Sequence, residues 1–227
     1  MKLKNQDFVK IEYVGRIKSN KQIFDLTDEK LAKKENIYNP KASYGEMTIC
    51  IGEGNILGGI DTKLVDKETG KDYTIELNQN EAFGPKNPKL IKIFSMKQFK
   101  KHNINPYPGA RLNIDGIVGA VRSVNSGRVF MDFNHPLSGK EVVYEIKIGD
   151  KVTKIEDQLD SIISFNLFMS KKDYSFKIDG DILKFSSKHE IPESLTKNFK
   201  NKITKLFKGI KKVEFEKKKA DSEKATT

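Results

Sequence analysis

The feature that most constrains this chain is a set of short motifs that runs through residues 1–154 and is interrupted once. Four motifs precede the interruption and two follow it. They are residues 9–16 (VKIEYVGR), 23–25 (IFD), 52–61 (GEGNILGGID), 81–85 (EAFGP), 134–140 (NHPLSGK) and 142–146 (VVYEI). A domain inserted at an exposed loop leaves its host in two segments. We therefore predict a host domain of residues 1–84 and 134–154, an inserted domain of residues 85–133 and a third domain of residues 155–227.

Alternating apolar and polar residues predict the strands of the host domain. The predicted strands are residues 3–17, a second that begins at residues 22–25, 46–51, 71–77 and 142–148. A short helix is predicted over residues 56–64, and Thr27 is a candidate cap for another over residues 28–34. Together these elements predict an α+β domain, in which an antiparallel half-barrel sheet is wrapped on a short helix.

The inserted segment has its own pattern and much of the basic charge. Ser95 is predicted to cap a helix over residues 96–102, and the predicted strands are residues 90–94, 110–125 and 128–133, which makes the insert mostly β. The segment holds 9 Lys and Arg against 2 Asp and Glu, within a chain of net charge +11. A basic surface attracts nucleic acid or acidic chains. It also keeps a sticky domain in solution, and we favour this second interpretation.

Residues 155–227 predict a C-terminal α+β domain. Apolar residues at helical spacing predict an amphipathic helix over residues 155–167. Pro192 suits the first position of a second helix that reaches residue 208. Predicted strands 174–178 and 182–185 flank Asp179-Gly180, a pair typical of a type I′ hairpin, and residues 213–215 predict one more strand. The charged tail, residues 217–227, is predicted to fray.

Composition and single residues exclude several classes of protein. No run of 18 apolar residues is present, so no membrane span is predicted. The first residues lack an apolar stretch after their lysines, which argues against a secretory signal and for the cytoplasm. Cys50 lies in an apolar run and is predicted to be a buried, unreactive thiol. His102 and His189 stand alone, so we expect neither a metal site nor a cofactor.

The order and spacing of the six motifs resemble the FKBP-type peptidyl-prolyl cis-trans isomerases, and specifically the SlyD-like branch with a domain inserted in the flap. Residues 155–227 resemble the C-terminal extension of the long archaeal type. The resemblance implies rotation of Xaa-Pro peptide bonds in an apolar pocket. Such a catalyst needs no nucleophile, because it only has to bind the twisted amide more tightly than the planar one.

The resemblance also implies which residues build the pocket. Those with a catalytic role would be Tyr13, Asp25, Phe83 and Tyr144. Those that bind the substrate would be Phe24, Met47, Ile56, Leu57, Ile60, His135 and Leu137. Asp25 would be the polar group that faces the twisted carbonyl, and the backbone at Ile56 and Leu57 would pair with the substrate chain.

This sequence departs from the family pattern at three of these positions. Phe83 stands where Tyr is common, so one hydroxyl donor to the substrate carbonyl is missing. Losing such a bond should cost about 1 kcal/mol, which lowers the rate without abolishing it. Ile60 replaces a large aromatic residue of some relatives, and Tyr144 stands where Phe is usual.

In SlyD-like relatives the insert binds extended or unfolded chain and passes it to the pocket. The corresponding apolar residues here are Ile93, Phe94, Met96, Phe99, Val129 and Met131. The predicted partners are therefore unfolded or partly folded polypeptides with Xaa-Pro bonds, and the predicted function is isomerisation together with chaperone activity. The alternative is a nucleic-acid or ribosome-associated protein that uses the basic insert, although its aromatic residues are not interleaved with the basic ones.

The resemblance leaves the role of the C-terminal extension open. Its exposed strand edges or helix faces could join two copies of the chain in a homodimer, or bind further substrate. The sequence does not choose between these two roles.

Overall fold

The computed structural model describes residues 1–217. Nearly all of the tail predicted to fray, residues 218–227, lies outside the described residues. The described chain combines three sheets, in which antiparallel pairing dominates, with short helices, so the predicted α+β class is confirmed. That the first sheet wraps around a helix stays a prediction.

The described strands and helices follow one another along the chain in a simple order. The strands are β1 (Phe8–Ile17), β2 (Ile23–Leu26), β3 (Met47–Cys50), β4 (Lys71–Leu77), β5 (Ile91–Ser95), β6 (Arg111–Ile114), β7 (Ile117–Asn125), β8 (Arg128–Asp132), β9 (Val142–Lys151), β10 (Tyr174–Asp179), β11 (Ile182–Ser187) and β12 (Lys212–Lys217). The α-helices are α1 (Glu29–Lys34), α2 (Gly58–Leu64), α3 (Met96–Lys101), α4 (Ile155–Leu167) and α5 (Glu193–Leu206). None of the helices within residues 1–217 is long and apolar enough to cross a membrane.

Strand β1 is the hub of the first sheet. The strand order is β2-β1-β9-β4, and β3 also pairs with β1, antiparallel, with Phe8 opposite Cys50 and Ile11 opposite Met47. The alternation predicted that this strand begins at residue 3, but it begins at Phe8. A turn precedes it, in which the Lys4 N–H donates to the Asp7 carboxylate at 2.7 Å and Gln6 has a φ of 68°.

The caps of the first two helices differ from the sequence prediction. Asp28, not Thr27, caps α1, because its side chain accepts a hydrogen bond from the Leu31 N–H at 3.0 Å. The Thr27 hydroxyl instead accepts from the Tyr13 N–H at 2.8 Å, which ties the chain before α1 to β1. Helix α2 begins at Gly58, two residues later than predicted.

The described residues divide into two compact units. Residues 1–14, 26–74 and 145 onward form the first unit, and residues 15–25 and 75–144 form the second. The boundary between the units runs through β1, β2, β4 and β9. The three domains inferred from the motifs are drawn on different boundaries and stay predictions.

Within the second unit, residues 91–132 form a four-stranded antiparallel sheet with the order β5-β8-β7-β6. Helix α3 follows β5, and Ser95 caps it, as predicted. The structure adds a capping box, in which the Gln98 side chain accepts from the Ser95 N–H. The strand predicted over residues 110–125 is two strands. Asp115 and Gly116 both have positive φ and turn the chain between β6 and β7, a hairpin signal that sequence analysis missed.

Asp132 and Asn134 join the two chain segments where this sheet begins and ends. Lys86 donates to Asp132 at 2.8 Å, and the Asn134 side chain accepts from the Asn87 N–H at 2.8 Å while donating to the Asn87 carbonyl. Burial alone would raise the pKa of Asp132. The Lys86 ammonium and the two Asn134 donors outweigh burial and lower the pKa to about 2. These bonds fix the spacing of the two segments that connect the sheet to the rest of its unit.

The C-terminal part of the first unit packs two helices with a three-stranded sheet. Helix α4 has the predicted bounds, and the strand order is β10-β11-β12, with β12 parallel to β11. The core of this part holds Phe185 and Phe199, whose ring centroids are 5.8 Å apart. Pro192 caps α5 and is not its first helical residue, because the Leu195 and Thr196 N–H groups donate to its carbonyl.

The hairpin between β10 and β11 lies one residue later than predicted. Asp179 pairs with Ile182, so the two central residues are Gly180 and Asp181. Only Gly180 of these two has a positive φ, at 61°. A type I′ turn needs positive φ at both central residues, so the predicted type I′ turn is wrong.

One hydrophobic core continues from the first sheet into the C-terminal elements. Phe8, Cys50 and Val152 belong to the same buried cluster as Leu159, Phe199 and Ile210. The Phe8 and Phe207 ring centroids are 5.8 Å apart, and the Val152 N–H donates to the Phe8 carbonyl. Cys50 is fully buried, as predicted, and burial, with the charge of Glu53, raises the pKa of its thiol to about 12. The C-terminal elements therefore share their core with β1 and β3.

This shared core gives a testable prediction. Phe8→Ala and Phe207→Ala should each lower the free energy of unfolding by ~3–5 kcal/mol, because each removes a buried ring. Since the rings contact each other, the double variant should lose at least ~0.5 kcal/mol less than the sum of the single losses. Urea denaturation of the four proteins measures both effects. Phe168→Ala is the matched control, because Phe168 is 80% exposed. Strict additivity of the two losses would contradict the shared core.

Candidate active site

Three aromatic rings of the second unit form a perpendicular cluster. The Phe24 ring stands edge-on to Phe83, with centroids 5.7 Å apart, and edge-on to Tyr144, with centroids 5.6 Å apart. Phe24 lies on β2 and Tyr144 on β9, while Phe83 lies in the turn that follows β4. Edge-to-face packing is the arrangement that aromatic pairs prefer, so each ring holds the next in orientation. The structure thus brings together three of the predicted pocket residues.

Gly15 makes room for this cluster on strand β1. A Cβ at this position would lie 2.9 Å from Cε1 of Tyr144 and 3.0 Å from Cζ of Phe24. Real Cβ atoms do not approach ring carbons so closely. Gly15 therefore serves close packing and not backbone freedom, since its φ is not positive. Gly15 belongs to the motif of residues 9–16, but the sequence alone did not predict this packing role.

Tyr144 is buried, with 4% of its surface exposed. Burial raises the pKa of its hydroxyl above the usual value, and the negative charge of Asp25 raises it further. The phenol therefore stays protonated and uncharged at neutral pH. Asp25 follows Phe24 on β2 and is half-buried. The effect of its charge on the Tyr144 pKa shows that the carboxylate interacts electrostatically with the phenol.

Phe83 is held by the loop of residues 134–140, which follows the insert in the sequence. The Ser138 hydroxyl donates to the Phe83 carbonyl at 3.2 Å, and the Gly139 N–H donates to the Gly84 carbonyl at 2.8 Å. The His135 imidazole stacks on the Phe83 ring, with centroids 5.0 Å apart and planes 7° from parallel. His135 also accepts from the Leu137 N–H through Nδ1, at 3.2 Å. His135 is exposed, so its stack on Phe83 lies near the surface, and Leu137 is half-buried.

Sequence analysis missed Ser138. Its hydroxyl is the donor to the Phe83 carbonyl, and the residue is 6% exposed. Its position inside the motif NHPLSGK was the available signal.

The remaining pocket residues predicted from the resemblance belong to the first unit. Ile60 is buried on α2, whereas Met47 on β3, Tyr13 on β1 and the pair Ile56 and Leu57 are half-buried. Leu57 is the N-cap of α2, and its carbonyl accepts from the Ile60 and Asp61 N–H groups. Their roles in binding a substrate stay predictions.

The loop that leads to Ile56 is fixed by Asp61, a second residue that sequence analysis left without a role. Asp61 is buried on α2, and its two carboxylate oxygens accept from the Gly52 N–H at 2.8 Å and the Gly54 N–H at 3.0 Å. Gly52 and Gly54 both have positive φ, a conformation that glycine adopts without strain. Asn55 accepts from the Cys50 N–H at 2.8 Å, so the whole turn after β3 is tied down.

The insert residues predicted to bind polypeptide differ in exposure. Ile93 on edge strand β5 is 56% exposed, whereas Phe94 and Met96 are half-buried. Phe99, Val129 and Met131 are buried in the small core of the insert. Their predicted contact with substrate is untested. The insert also exposes two further large apolar residues at the start of β7, Ile117 and Val118.

The chain is similar to known proteins of one family. A family model described as FKBP-type peptidyl-prolyl cis-trans isomerase matches residues 1–100, and a second, described as FKBP26, IF domain, matches residues 92–137. A short-type peptidyl-prolyl cis-trans isomerase of Methanocaldococcus jannaschii is 27% identical over 148 residues, which cover 65% of this chain and 93% of the relative.

Two bacterial relatives extend the comparison. The FKBP-type 16 kDa peptidyl-prolyl cis-trans isomerase of Escherichia coli K12 is 31% identical over 103 residues, or 43% of this chain and 68% of the relative. The FKBP-type peptidyl-prolyl cis-trans isomerase SlyD of Treponema pallidum is 25% identical over 167 residues, or 72% of this chain and 86% of the relative.

The close approach at Gly15 gives a prediction about the aromatic cluster. Gly15→Ala should lower the free energy of unfolding by ~1–3 kcal/mol, because the added methyl overpacks Phe24 and Tyr144. The near-ultraviolet circular dichroism of the protein should change, because the Tyr144 ring shifts with the cluster. Gly58→Ala is the matched control, since a Cβ there meets nothing within 4 Å. Equal stability of the Gly15 variant and the parent would show that the cluster is loosely packed.

Proposed function

This chain belongs to the FKBP-type peptidyl-prolyl cis-trans isomerase family, and we propose that it rotates Xaa-Pro bonds against the aromatic cluster of Phe24, Phe83 and Tyr144. The observation that carries this proposal is the perpendicular packing of Phe24 between the other two rings, with Asp25 next to it on the same strand. The two faces of such a corner suit the compact, apolar five-membered ring of proline and the amide that precedes it.

Rotation of an Xaa-Pro bond requires no nucleophile and no proton transfer from the protein. Uncatalysed rotation of the Xaa-Pro bond crosses a barrier of ~18–20 kcal/mol and takes tens to hundreds of seconds. Halfway through the rotation the amide has lost its resonance, so its nitrogen is pyramidal and its bond dipole is smaller than in the planar form. An apolar surface that removes water from the amide favours the twisted form over the planar one.

Asp25 is the proposed polar partner of the rotating carbonyl. Loss of amide resonance leaves the carbonyl carbon poorer in electrons, so a nearby carboxylate stabilises the twisted form more than the planar one. The Tyr144 phenol, kept neutral by burial and by Asp25, provides a donor that stays protonated beyond neutral pH. Neither group needs to exchange a proton with the substrate.

Substitutions at Asp25 and at Phe83 should change kcat/KM in opposite directions. Asp25→Ala should lower kcat/KM for a short Xaa-Pro peptide about five- to tenfold, the equivalent of one charge-assisted interaction. Phe83→Tyr should raise kcat/KM about fivefold, because it restores a hydroxyl donor to the substrate carbonyl. A protease-free isomerisation assay measures both variants in the full chain.

Asp72→Ala is the matched control for Asp25→Ala, because Asp72 is exposed on β4. It should keep the parent rate. Full activity in Asp25→Ala, with the fold intact by circular dichroism, would remove Asp25 from the site. An inactive parent chain would overturn the proposed isomerase itself.

We further propose that the insert binds extended polypeptide and delivers it for isomerisation. Three observations support a binding role. Ile93, Ile117 and Val118 are each more than half exposed, although the small core of the insert holds other apolar side chains. Strand β5 lies at the edge of its sheet, where an extended chain can add backbone hydrogen bonds. Half-buried Met96 offers a side chain that adapts to varied partners.

Fixed attachment makes the insert useful to catalysis. The bonds among Lys86, Asp132 and Asn134 hold the two connecting segments together. A polypeptide bound by a tethered domain stays at a high effective concentration near the catalytic residues. The substrates favoured by this arrangement are unfolded or partly folded chains, in which Xaa-Pro bonds are accessible.

If the insert acts as a chaperone, substitutions in it should affect an unfolded protein substrate and a short peptide differently. Ile93→Ser and Val118→Ser together should slow catalysed refolding of a proline-limited protein about fivefold or more, because apolar contacts to the unfolded chain are lost. Turnover of a short Xaa-Pro peptide should stay within about twofold of the parent. Ile37→Ser is the control, since Ile37 is exposed outside the insert. Equal losses on both substrates would contradict a separate binding role for the insert.

The nucleic-acid alternative gains no support from the relatives described above, all of which are named isomerases. A homodimer through residues 155–227 and a cytoplasmic location stay predictions.

A further inference from the structure

The loop between β3 and α2 carries a buried ion pair that the isomerase chemistry does not use. Glu53 lies between Gly52 and Gly54, and its side chain is only 8% exposed. One carboxylate oxygen of Glu53 lies 3.3 Å from Nζ of Lys202, and the other lies 3.0 Å from Nζ of Lys205. Lys202 also donates to the Glu53 backbone carbonyl at 3.2 Å. Both lysines belong to α5, and they lie 149 and 152 residues after Glu53 in the chain.

We propose that helix α5 positions the substrate-binding loop through Glu53, so that the C-terminal extension sets how tightly the isomerase binds its substrate. Glu53, Lys202 and Lys205 are then positioning residues and do not touch the reacting amide. This inference rests on the proposed function, and also on the prediction that Ile56 and Leu57, at the end of the same loop, bind the substrate chain.

The strength of the contact follows from burial. A carboxylate removed from water is costly unless it is paired and hydrogen-bonded. Each Glu53 oxygen has its own lysine, and Lys202 is itself largely buried, with 22% of its side chain exposed. Loss of Lys202 would leave Glu53 with one exposed partner, Lys205, and would free the Glu53 carbonyl. The loop would then gain freedom at its centre.

The orientation of α5 is fixed by its other face. Phe199 and Ile203 are fully buried in the core shared with Phe8 and Cys50. Lys202 and Lys205 are one turn apart, and residues three apart in a helix lie on the same side. The core therefore presents both ammonium groups to the loop from a rigid base, and β3 enters the loop from the same core through Cys50.

Two independent anchors act on the same short loop. Asp61 holds the Gly52 and Gly54 N–H groups from α2, and α5 holds Glu53 between them. The Asp61 anchor is local, nine residues from Gly52 and seven from Gly54, whereas the α5 anchor links the loop to the C-terminal elements. Removing the second anchor should leave the turn formed but less restricted at residues 53–57.

A loop that positions substrate without touching the reacting atoms affects binding more than chemistry. We expect Lys202→Met and Glu53→Gln each to raise KM for a short Xaa-Pro peptide about threefold or more, with kcat within about twofold of the parent. The double variant should resemble the single variants, because each substitution already removes the same contact. Lys197→Met is the matched control, since Lys197 is exposed on α5 and has no ion pair among residues 1–217.

Amide hydrogen exchange in the full chain tests the same idea without using activity. Exchange of the N–H groups of residues 53–57 should speed up about tenfold in Lys202→Met relative to Lys197→Met, while the buried amides of β1 should keep the parent rate. Lys205→Met, at the exposed side of the pair, should give a smaller effect. It serves as a milder variant if the loss of Lys202 unfolds the chain.

Each outcome decides one point. Unchanged exchange at residues 53–57 would overturn the positioning role of α5, whatever the activity. Faster exchange with an unchanged KM would show that α5 orders the loop but that the loop does not bind substrate, which overturns the inference. An inactive parent would overturn the proposed isomerase, and the exchange data would still decide whether α5 anchors the loop.

Discussion

Burial of strand β1 is the constraint on which the rest of the described structure depends. Phe8, Val9 and Ile11 are almost fully buried, and β1 pairs directly with β2, β3 and β9. At its first residue the strand contributes Phe8 to the core that contains Phe207 and the C-terminal helices. Near its end, Gly15 lies against Phe24 and Tyr144. A one-residue shift of this strand would expose its apolar side chains and move both contacts at once.

The side chains of the proposed site are consequently held by neighbours more than by their own strands or loops. Phe83 owes its orientation to Phe24, His135 and the Ser138 hydroxyl. The loop at Glu53 owes its shape to Asp61 and to two lysines of α5. Rigid support of this kind suits a catalyst that works by shape and desolvation, because the energy of binding is not spent on ordering the site.

Local patterns predicted the elements well where one signal dominated. The bounds of α4 were predicted from apolar spacing alone, and Ser95 was correctly predicted as the cap of α3. Predictions failed where two local signals competed. Thr27 and Asp28 can both cap a helix, and the hydrogen bond from the Tyr13 N–H to Thr27 decides in favour of Asp28. Asp115-Gly116 lay inside an alternating apolar run, so the alternation concealed the turn.

By itself, the sequence determined the family, the α+β class and the identity of the aromatic residues in the candidate site, since motif order and side-chain alternation are written along the chain. Only the tertiary structure decided which rings meet, why residue 15 must be small, and that Glu53 pairs with lysines 149 and 152 residues away. The physical reason is that packing distances and buried charge pairs join residues far apart in sequence. Neither periodicity nor composition carries information about such pairs.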